Sequence, residues 1–322
     1  MIQELKNIKV YSRDVFVASK SYRQQYAQNK DRAIRFYNWW DEPYENLWFY
    51  RFVKHHAILP NDKVLNFVSV FGKKEVAKLI DGSVVFFSGE NIHDVDHCEY
   101  ADYLLSDKTA KFAIGFDMMD EPNYLRFPLW IPFLFAPDAD DKAIRTRCEQ
   151  MRHQIIGYKK KFAALVARYD WSGTRSQIYD AIKHIAQIGC PSKVHHNDDD
   201  LKSKYGDNKI AYLKQFAFNI CPENSNSFGY VTEKVFEAIA AGCIPIYWGS
   251  YNMPEPDILN QDAIIKWNMH GDNSANIALI EDLYTHPDRL QEFMAQPRLK
   301  PDAEEKIIHT VHQLEQGLRN II

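Results

Sequence analysis

Short apolar runs alternate with segments of helical spacing in the first half of the chain. In residues 64–90, the runs "VLNFVSVFG" and "SVVFFSGE" are β-branched and aromatic, and "KKEVAKLID" between them has the spacing of a helix. The run "KFAIGFD" (111–117) has the character of a further strand. Strands that alternate with short helices in this way predict a parallel α/β sheet.

The second half contains a strand–helix–strand pattern in residues 215–249. The runs "QFAFNI" (215–220) and "CIPIYWG" (243–249) are predicted strands, and "VTEKVFEAIAAG" (231–242) between them is a predicted helix with one apolar stripe. Thr232 is expected to be its N-cap residue. The three segments together predict a βαβ unit.

The remaining segments are less regular. Residues 138–168 are charged and have helical spacing, which predicts a surface helix and a linker into a second domain. Residues 176–189 predict another helix, residues 195–209 a polar loop, and residues 303–322 a closing amphipathic helix. A chain of 322 residues is long enough for two domains.

Composition and charge exclude several classes of protein. The net charge of −4 and the pI of about 6.3 argue against a polybasic surface, so nucleic acid is not expected as the main partner. The five cysteines are widely spaced, odd in number and without a CxxC pair, which is typical of reduced thiols in a cytosolic protein. The amino-terminal segment lacks the apolar core of a signal peptide. The most apolar run, residues 127–137, is too short to span a bilayer, although an interfacial role is an alternative.

The stretch "ENSNSFGYVTEK" (223–234) is a polar loop that leads from a predicted strand into a predicted helix. Free backbone N–H groups and the helix dipole favour an anion at such a position. Lys234 would add a full positive charge, and Tyr230 and Asn224 would donate hydrogen bonds. Glu233 would accept hydrogen bonds from ribose hydroxyls. These features suit a nucleoside diphosphate. The alternative is that Glu233 and Lys234 are ordinary first-turn charges, because the loop matches no generic phosphate motif.

Glu90 is a second candidate for chemistry. It follows an apolar strand and Gly89, which places a carboxylate at the end of the first sheet, where partial desolvation would suit a general base. The alternative is a strand-end acid that bonds to a neighbouring turn.

A long segment of the chain resembles a known family. "FAFNICPENSNSFGYVTEKVFEAIAAGCIPIYWGS" (216–250) resembles the signature of the α-1,3-fucosyltransferases of glycosyltransferase family ten, which combines E-N-[ST], Y-V-T-E-K and A-G-x-[IV]-P-[IV]-Y-W-G. The N-terminal half is similar to the bacterial members in four segments, "FYNWWDEPYENLWFYRF" (36–52), "FFSGENI" (86–92), "FAIGFD" (112–117) and "YLRFPLW" (124–130). The resemblance covers residues 34 to 268.

The resemblance implies a GT-B fold, with two Rossmann-like domains that face a cleft. Residues 1–150 would form the acceptor-binding domain and residues 151–322 the GDP-fucose-binding domain, with the C-terminal helix packing back on the first. The implied reaction is inverting transfer of fucose from GDP-β-L-fucose to the 3-OH of GlcNAc in a LacNAc-type glycan. Lipopolysaccharide or a free glycan would carry this acceptor.

The resemblance also implies individual roles. Glu90 matches the proposed general base of the family, and Asn224, Tyr230, Glu233 and Lys234 match its donor-binding residues. Among these, Lys234 and Tyr230 would face the pyrophosphate and Glu233 the ribose.

Further basic residues are expected near the phosphates. Lys193 is the preferred match to an upstream basic residue of the family, with His195 as its competitor. Arg175 falls where the family has an arginine, and it either binds the donor or pins the loop. A pocket of this kind can replace a divalent cation, so we expect no required cofactor and no metal site, while stimulation by added cations stays open. The run Asp198 to Asp200 is interpreted as a solvated turn, and metal binding by His195 and His196 is a minor alternative.

Other interpretations stay open. The aromatic residues clustered in residues 39–50 would contribute an acceptor platform or, for most of them, core packing. The chain could instead use another sugar nucleotide or form an α-1,4 linkage. A binding module without catalysis is a third possibility, against which Glu90 and "YVTEK" both argue. We expect a cytoplasmic protein whose membrane association is at most peripheral, because the C-terminal segment is mixed in charge.

Overall fold

The computed structural model describes residues 2–153 and 161–322, with side chains from residue 14 onward. The chain divides into two compact units. The first comprises the residues up to Pro132, together with Ala136–Asp138 and His309–Ile322, and the second comprises Phe133–Phe135 and Ala139–Ile308. The domain boundary expected between residues 150 and 151 stays a prediction.

The first unit is built on a five-stranded parallel sheet with strands in the order β1-β2-β3-β4-β5. Its strands are β1 (Ile34–Tyr37), β2 (Leu65–Val68), β3 (Ser83–Phe87), β4 (Phe112–Gly115) and β5 (Tyr124–Arg126). Helices α1 (Ile2–Asn29), α2 (Trp48–His55) and α3 (Trp130–Leu134) accompany them, with short 3₁₀ helices at Tyr44–Asn46, Lys74–Leu79 and Cys98–Tyr100. The strands predicted in residues 64–90 and 111–117 are confirmed. The helix predicted between the first two is a 3₁₀ helix, the form that short connectors commonly take.

Aromatic residues form much of the core of the first unit. The rings of Phe36 and Phe67 stack across neighbouring strands with centroids 5.1 Å apart. Trp39, from the aromatic cluster in residues 39–50, packs against both rings and against Phe87. Trp48 stacks on Phe52 within α2. Trp39 and Trp48 thus pack against the core, although both are only half-buried.

The second unit is built on another parallel sheet. Its strands are β6 (Lys161–Ala164), β7 (Ile188–Gly189), β8 (Phe216–Ile220), β9 (Ile244–Tyr247) and β10 (Ile265–Lys266), in the order β10-β9-β8-β6-β7. The helices are α4 (Asp141–Arg152), α5 (Thr174–Ile182), α6 (Asp200–Ser203), α7 (Lys209–Leu213), α8 (Glu233–Ala240), α9 (Ser274–Thr285), α10 (Pro287–Ala295) and α11 (Ala303–Asn320). Two further 3₁₀ helices lie at Ser250–Asn252 and Gln261–Ala263. The predicted βαβ unit is confirmed as β8, α8 and β9, and the closing helix as α11.

Two predictions in this unit are wrong. The segment 138–168, predicted as a helix and a linker, contains α4 but also β6, which pairs with β8 through Ala163 and Phe218. The helix predicted over residues 176–189 ends at Ile182, and Ile188 belongs to β7, where it pairs with Ala163. In both segments strand pairing overrides a local preference for helix.

The strand order of the second sheet has a consequence for ligand binding. Numbered from β6 along the chain, its strands lie in the order 2-1-3-4-5, so the direction of winding reverses between β6 and β8. In open parallel sheets, ligands bind at such a reversal, beyond the carboxyl ends of the two strands. The fold therefore indicates where to look for a site.

No helix in the described ranges is long and apolar enough to cross a membrane.

Candidate functional site

A cavity of about 180 Å³ lies at the reversal between β6 and β8. The loops that follow these two strands form its walls, and the first turn of α8 and residues from α5 and α7 complete it. The lining residues are Val166, Ala167, Arg168, Tyr169, Trp171, Arg175, Lys209, Asn219, Ile220, Cys221, Pro222, Asn224, Glu233 and Lys234. Basic side chains and a helix N-terminus thus meet in one cavity, which suits a phosphate-bearing ligand.

The side chain of Glu223 connects the loop after β8 to the start of α8. Its carboxylate is fully buried and accepts hydrogen bonds from the Thr232 backbone N–H (2.9 Å) and the Thr232 hydroxyl (2.6 Å). It also accepts from Lys234 Nζ (3.1 Å) and from the Tyr247 hydroxyl (3.4 Å). Thr232 occupies the predicted N-cap position, but its hydroxyl donates to Glu223 and does not cap the helix. The polar loop therefore closes around one buried carboxylate.

Lys234 is held between two carboxylates. Its ammonium lies 3.1 Å from Glu223 and 3.7 Å from Glu233, and it donates to the Thr232 hydroxyl at 2.8 Å. Burial disfavours the charged ammonium, but the two carboxylates outweigh burial and raise the pKa of Lys234. Burial likewise opposes ionisation of Glu233, but Lys234 and Lys209 lower its pKa. Both side chains are therefore charged at neutral pH.

Arg175 is buried and joins the two loops that form the walls of the cavity. Its guanidinium donates to the Tyr169 carbonyl (2.8 Å), to the Pro222 carbonyl (3.1 Å) and to Asn224 Oδ1 (2.9 Å). Burial lowers the pKa of Arg175, although Asp170 and neighbouring acids oppose that shift. These bonds match the loop-pinning role considered for Arg175. The guanidinium also lines the cavity, so a contact with a ligand stays a prediction.

The structure places the other predicted donor residues outside the cavity lining. Lys193 is exposed, with its ammonium 5.6 Å from the ring centroid of Tyr169. The His195 ring stacks on Tyr179 at 4.0 Å and its Nε2 lies 3.0 Å from Ser176 Oγ. Tyr230 is buried within the polar loop. Of the predicted set, the structure brings together Arg175, Asn224, Glu233 and Lys234, and the roles of Lys193, His195 and Tyr230 stay predictions.

Several residues at the site were not singled out in the sequence. Glu223 lies within the quoted family signature, which was the available signal. Lys209 is the first residue of α7, directly after the N-cap Asn208, and it pairs with Glu237 on α8. In the sequence it lies in a polar segment, and no pattern there indicates a functional residue. Tyr169 and Trp171 lie in the loop after β6. In the sequence, the available signal was a short apolar run followed by two aromatic residues.

Glu90 lies just beyond the carboxyl end of β3, as its position in the sequence predicted. It is half-buried, and its backbone is fixed by Ser88, whose hydroxyl donates to the Glu90 carbonyl at 2.7 Å. His93 and Asp117 are in contact at the same edge of the first sheet, with Nε2 2.8 Å from Oδ2. The position of Glu90 at this edge is compatible with a general base. The catalytic role of Glu90 stays a prediction.

Metal-binding side chains do not converge in the part of the chain that the structure describes. No group of three or more His, Cys, Asp or Glu residues there could hold an ion. In the acidic run, Asp198 accepts from the Tyr212 hydroxyl at 2.8 Å, and Asp200 pairs with Lys204 at 3.0 Å.

Two family models match the chain. The N-terminal domain of the α-(1,3)-fucosyltransferase FucT matches residues 34–133, and the C-terminal domain of glycosyltransferase family 10 (fucosyltransferase) matches residues 156–304. The α-(1,3)-fucosyltransferase FucT of Helicobacter pylori is 29% identical over 230 residues, which are 63% of this chain and 44% of that protein. The chain thus spans less than half the length of this relative.

Solved structures give a wider match. A crystal structure of an α1,3-fucosyltransferase is similar over 89% of this chain and 92% of that chain, with a TM-score of 0.60 and 22% identity. A crystal structure of α1,3-fucosyltransferase with GDP-fucose is similar over 88% of this chain and 90% of that chain, with a TM-score of 0.53 and 21% identity. At this level of identity the likeness shows a shared fold, and the predicted α/β class of GT-B type is confirmed.

The packing of Gly249 against Glu223 gives a test of the buried carboxylate. Gly249 has φ +141°, and a Cβ atom there would lie 2.6 Å from Glu223 Cγ. Gly249→Ala combines a backbone conformation that is essentially restricted to glycine with displacement of Glu223. We expect it to lower the free energy of unfolding by at least about 2 kcal/mol more than the control, which corresponds to about 4–8 °C in Tm for a unit of this size.

The matched control is Gly206→Ala. Gly206 also has positive φ (+55°), but its Cβ would meet no atom within 4 Å. Scanning calorimetry on both variants measures what the backbone conformation of Gly249 and the displacement of Glu223 together cost beyond a glycine of positive φ with open space around it. Equal shifts in Tm would contradict the prediction.

Proposed function

Because the chain belongs to glycosyltransferase family 10, the fucosyltransferases, we propose that it is an α-1,3-fucosyltransferase that uses GDP-β-L-fucose as donor. The reaction would transfer L-fucose with inversion to the 3-OH of GlcNAc in a LacNAc-type glycan. The observation that carries the proposal is the cavity between β6 and β8, where Arg175, Lys209 and Lys234 line one space beside the first turn of α8. The names of the matched relatives, both α-1,3-fucosyltransferases, support the choice of sugar and linkage.

The donor would enter with its pyrophosphate towards α8. The N–H groups of the first turn, which have no partner within the helix, and the ammonium of Lys234 would offer hydrogen bonds to phosphate oxygens. Glu233, held ionised by Lys234 and Lys209, is suited to accept bonds from the ribose hydroxyls. Since Glu223 and Thr232 already fix Lys234, little side-chain entropy would be lost when the ligand binds.

Glu90 would act as the general base. Its carboxylate would take the proton of the acceptor hydroxyl while that oxygen forms a bond to C1 of fucose and the bond from C1 to the GDP oxygen breaks. Attack from the face opposite to GDP inverts the β-linked donor to an α-linked product. The side-chain cations would stabilise the negative charge that develops on the departing GDP.

The finer features of the reaction belong to the same proposal. Side-chain cations would serve the leaving group in place of a divalent ion, so no cofactor would be required. The acceptor would be a lipopolysaccharide or a free glycan that carries LacNAc. A cytoplasmic location, with at most peripheral contact with a membrane, is also proposed.

The central test is a transfer assay. The protein is incubated with GDP-fucose and a LacNAc acceptor, with and without EDTA, and the linkage of any product is mapped by NMR. We expect fucose α-linked to O3 of GlcNAc, at a rate that EDTA does not abolish. Transfer to O4 would favour the α-1,4 alternative, and no transfer to any β-galactoside acceptor would refute the proposal.

The role of Lys234 is tested by donor affinity. Lys234→Ala removes a charge-assisted contact, so we expect GDP binding to weaken by ~1–3 kcal/mol in calorimetry. Lys183→Ala is the matched control, because Lys183 also pairs with a carboxylate but is exposed and does not line the cavity. Unchanged GDP affinity in Lys234→Ala would reject the role.

The role of Glu90 is tested by separating affinity from turnover. Glu90→Gln keeps the size and polarity of the side chain but cannot take a proton, so we expect turnover to fall by about 10²–10⁴-fold while GDP affinity stays unchanged. Glu99→Gln, an exposed glutamate of the same unit, serves as control. Near-normal turnover in the Glu90 variant would remove it as the base.

A further inference from the structure

We propose that Tyr169 and Trp171 form a stacking platform for the purine base of the nucleotide, an inference that rests on the proposed function. The two rings stack on each other, with centroids 5.4 Å apart and planes 21° from parallel. Both side chains line the cavity, yet Tyr169 is 54% exposed and Trp171 is 79% exposed. Because Lys193 also lies over the Tyr169 ring, with its ammonium 5.6 Å from the centroid, the Trp171 ring presents most of the apolar surface that is open to a ligand.

The backbone beneath the rings is firmly held. Asp170, which lies between them, accepts hydrogen bonds from the backbone N–H groups of Arg175 (3.0 Å) and Ser176 (2.8 Å) at the start of α5. The Tyr169 carbonyl accepts from the buried guanidinium of Arg175. The rings are thus exposed on an anchored loop, an arrangement that lowers the entropic cost of binding a flat ligand.

The size of the cavity indicates that part of the ligand lies outside it. At about 180 Å³ it is smaller than the ~300–1,000 Å³ pockets that enclose most of a small-molecule ligand. The basic groups of α7 and α8 would take up the pyrophosphate, so the opposite end of the nucleotide must extend away from them. Tyr169 and Trp171 come from the β6 side of the reversal, whereas Glu233 and Lys234 come from the β8 side.

The chemistry favours a base over a sugar at this position. A nucleoside diphosphate carries anionic oxygens at one end, two ribose hydroxyls in the middle and a flat π-system at the other end. The cavity offers cations, the ionised Glu233 and the aromatic pair in one continuous lining. Stacking between a base and an aromatic ring is strong and tolerates different bases, so this platform would supply affinity more than base selectivity.

The test compares a ligand that has a base with one that lacks it. GDP and inorganic pyrophosphate are titrated by calorimetry into the full chain and into Trp171→Ala. We expect GDP affinity to fall about 5- to 140-fold, as for the loss of one base–aromatic stack, and pyrophosphate affinity to change by less than about twofold. Trp171→Phe should restore most of the GDP affinity.

Phe16→Ala is the matched control. Phe16 is an exposed aromatic residue on α1 of the first unit, and it is not among the residues that line the cavity. It should leave the affinity for GDP unchanged.

Three outcomes would overturn the platform. An unchanged GDP affinity in Trp171→Ala, or an equal loss for GDP and pyrophosphate, would contradict base stacking while leaving donor binding intact. A raised KM for the glycan acceptor with normal GDP affinity would assign the rings to the acceptor. If the unmodified chain binds neither GDP nor pyrophosphate, the proposed function itself fails, and the platform fails with it.

Discussion

The buried carboxylate of Glu223 is the constraint on which the proposed donor site depends. A charged group without access to water is costly unless it is both hydrogen-bonded and paired with an opposite charge. Thr232, Lys234 and Tyr247 supply these partners from the start of α8 and from β9. One side chain therefore fixes the loop after β8, the position of α8 and the ammonium of Lys234. This is the physical reason for so polar a loop between two buried strands.

The same network would determine how the cavity attracts the anion of the proposed donor. Lys234 faces Glu223 and Glu233, and Lys209 pairs with Glu237, so much of the positive charge is already balanced by carboxylates. The net charge of these residues alone would attract an anion only weakly. The attraction must come from geometry: the ammonium is held at the cavity wall, and the N–H groups of the first turn of α8 are aligned beside it. Such a preorganised site would respond to the shape of a diphosphate as well as to its charge.

The parts of the fold that the sequence predicted are those with long, specific patterns. The unit β8–α8–β9 has a continuous apolar stripe on its helix and clear helix and strand ends. Because the loop before the helix could be located in this way, Asn224, Glu233 and Lys234 could be predicted as site residues. In contrast, β6 is four residues long and rich in alanine, a residue that favours helices, so only its pairing with β8 makes it a strand. Because β6 was missed, the aromatic loop behind it was missed as well. The choice of Lys193 depended on an alignment, which cannot reveal that its ammonium lies over the ring of Tyr169 while Lys193 itself is not among the lining residues.

The two sheets also differ in what their topology offers a ligand. The first sheet keeps the simple order β1 to β5 and never reverses, so its topology creates no crevice between diverging connections. Its carboxyl edge instead presents individual side chains, among them Glu90 and the pair formed by His93 and Asp117. A nucleotide needs an enclosed space with several aligned donors, whereas a general base needs only one well-placed carboxylate. The strand orders thus agree with the proposed placement of the donor in the second unit, and they are compatible with the proposal that the first unit supplies the base.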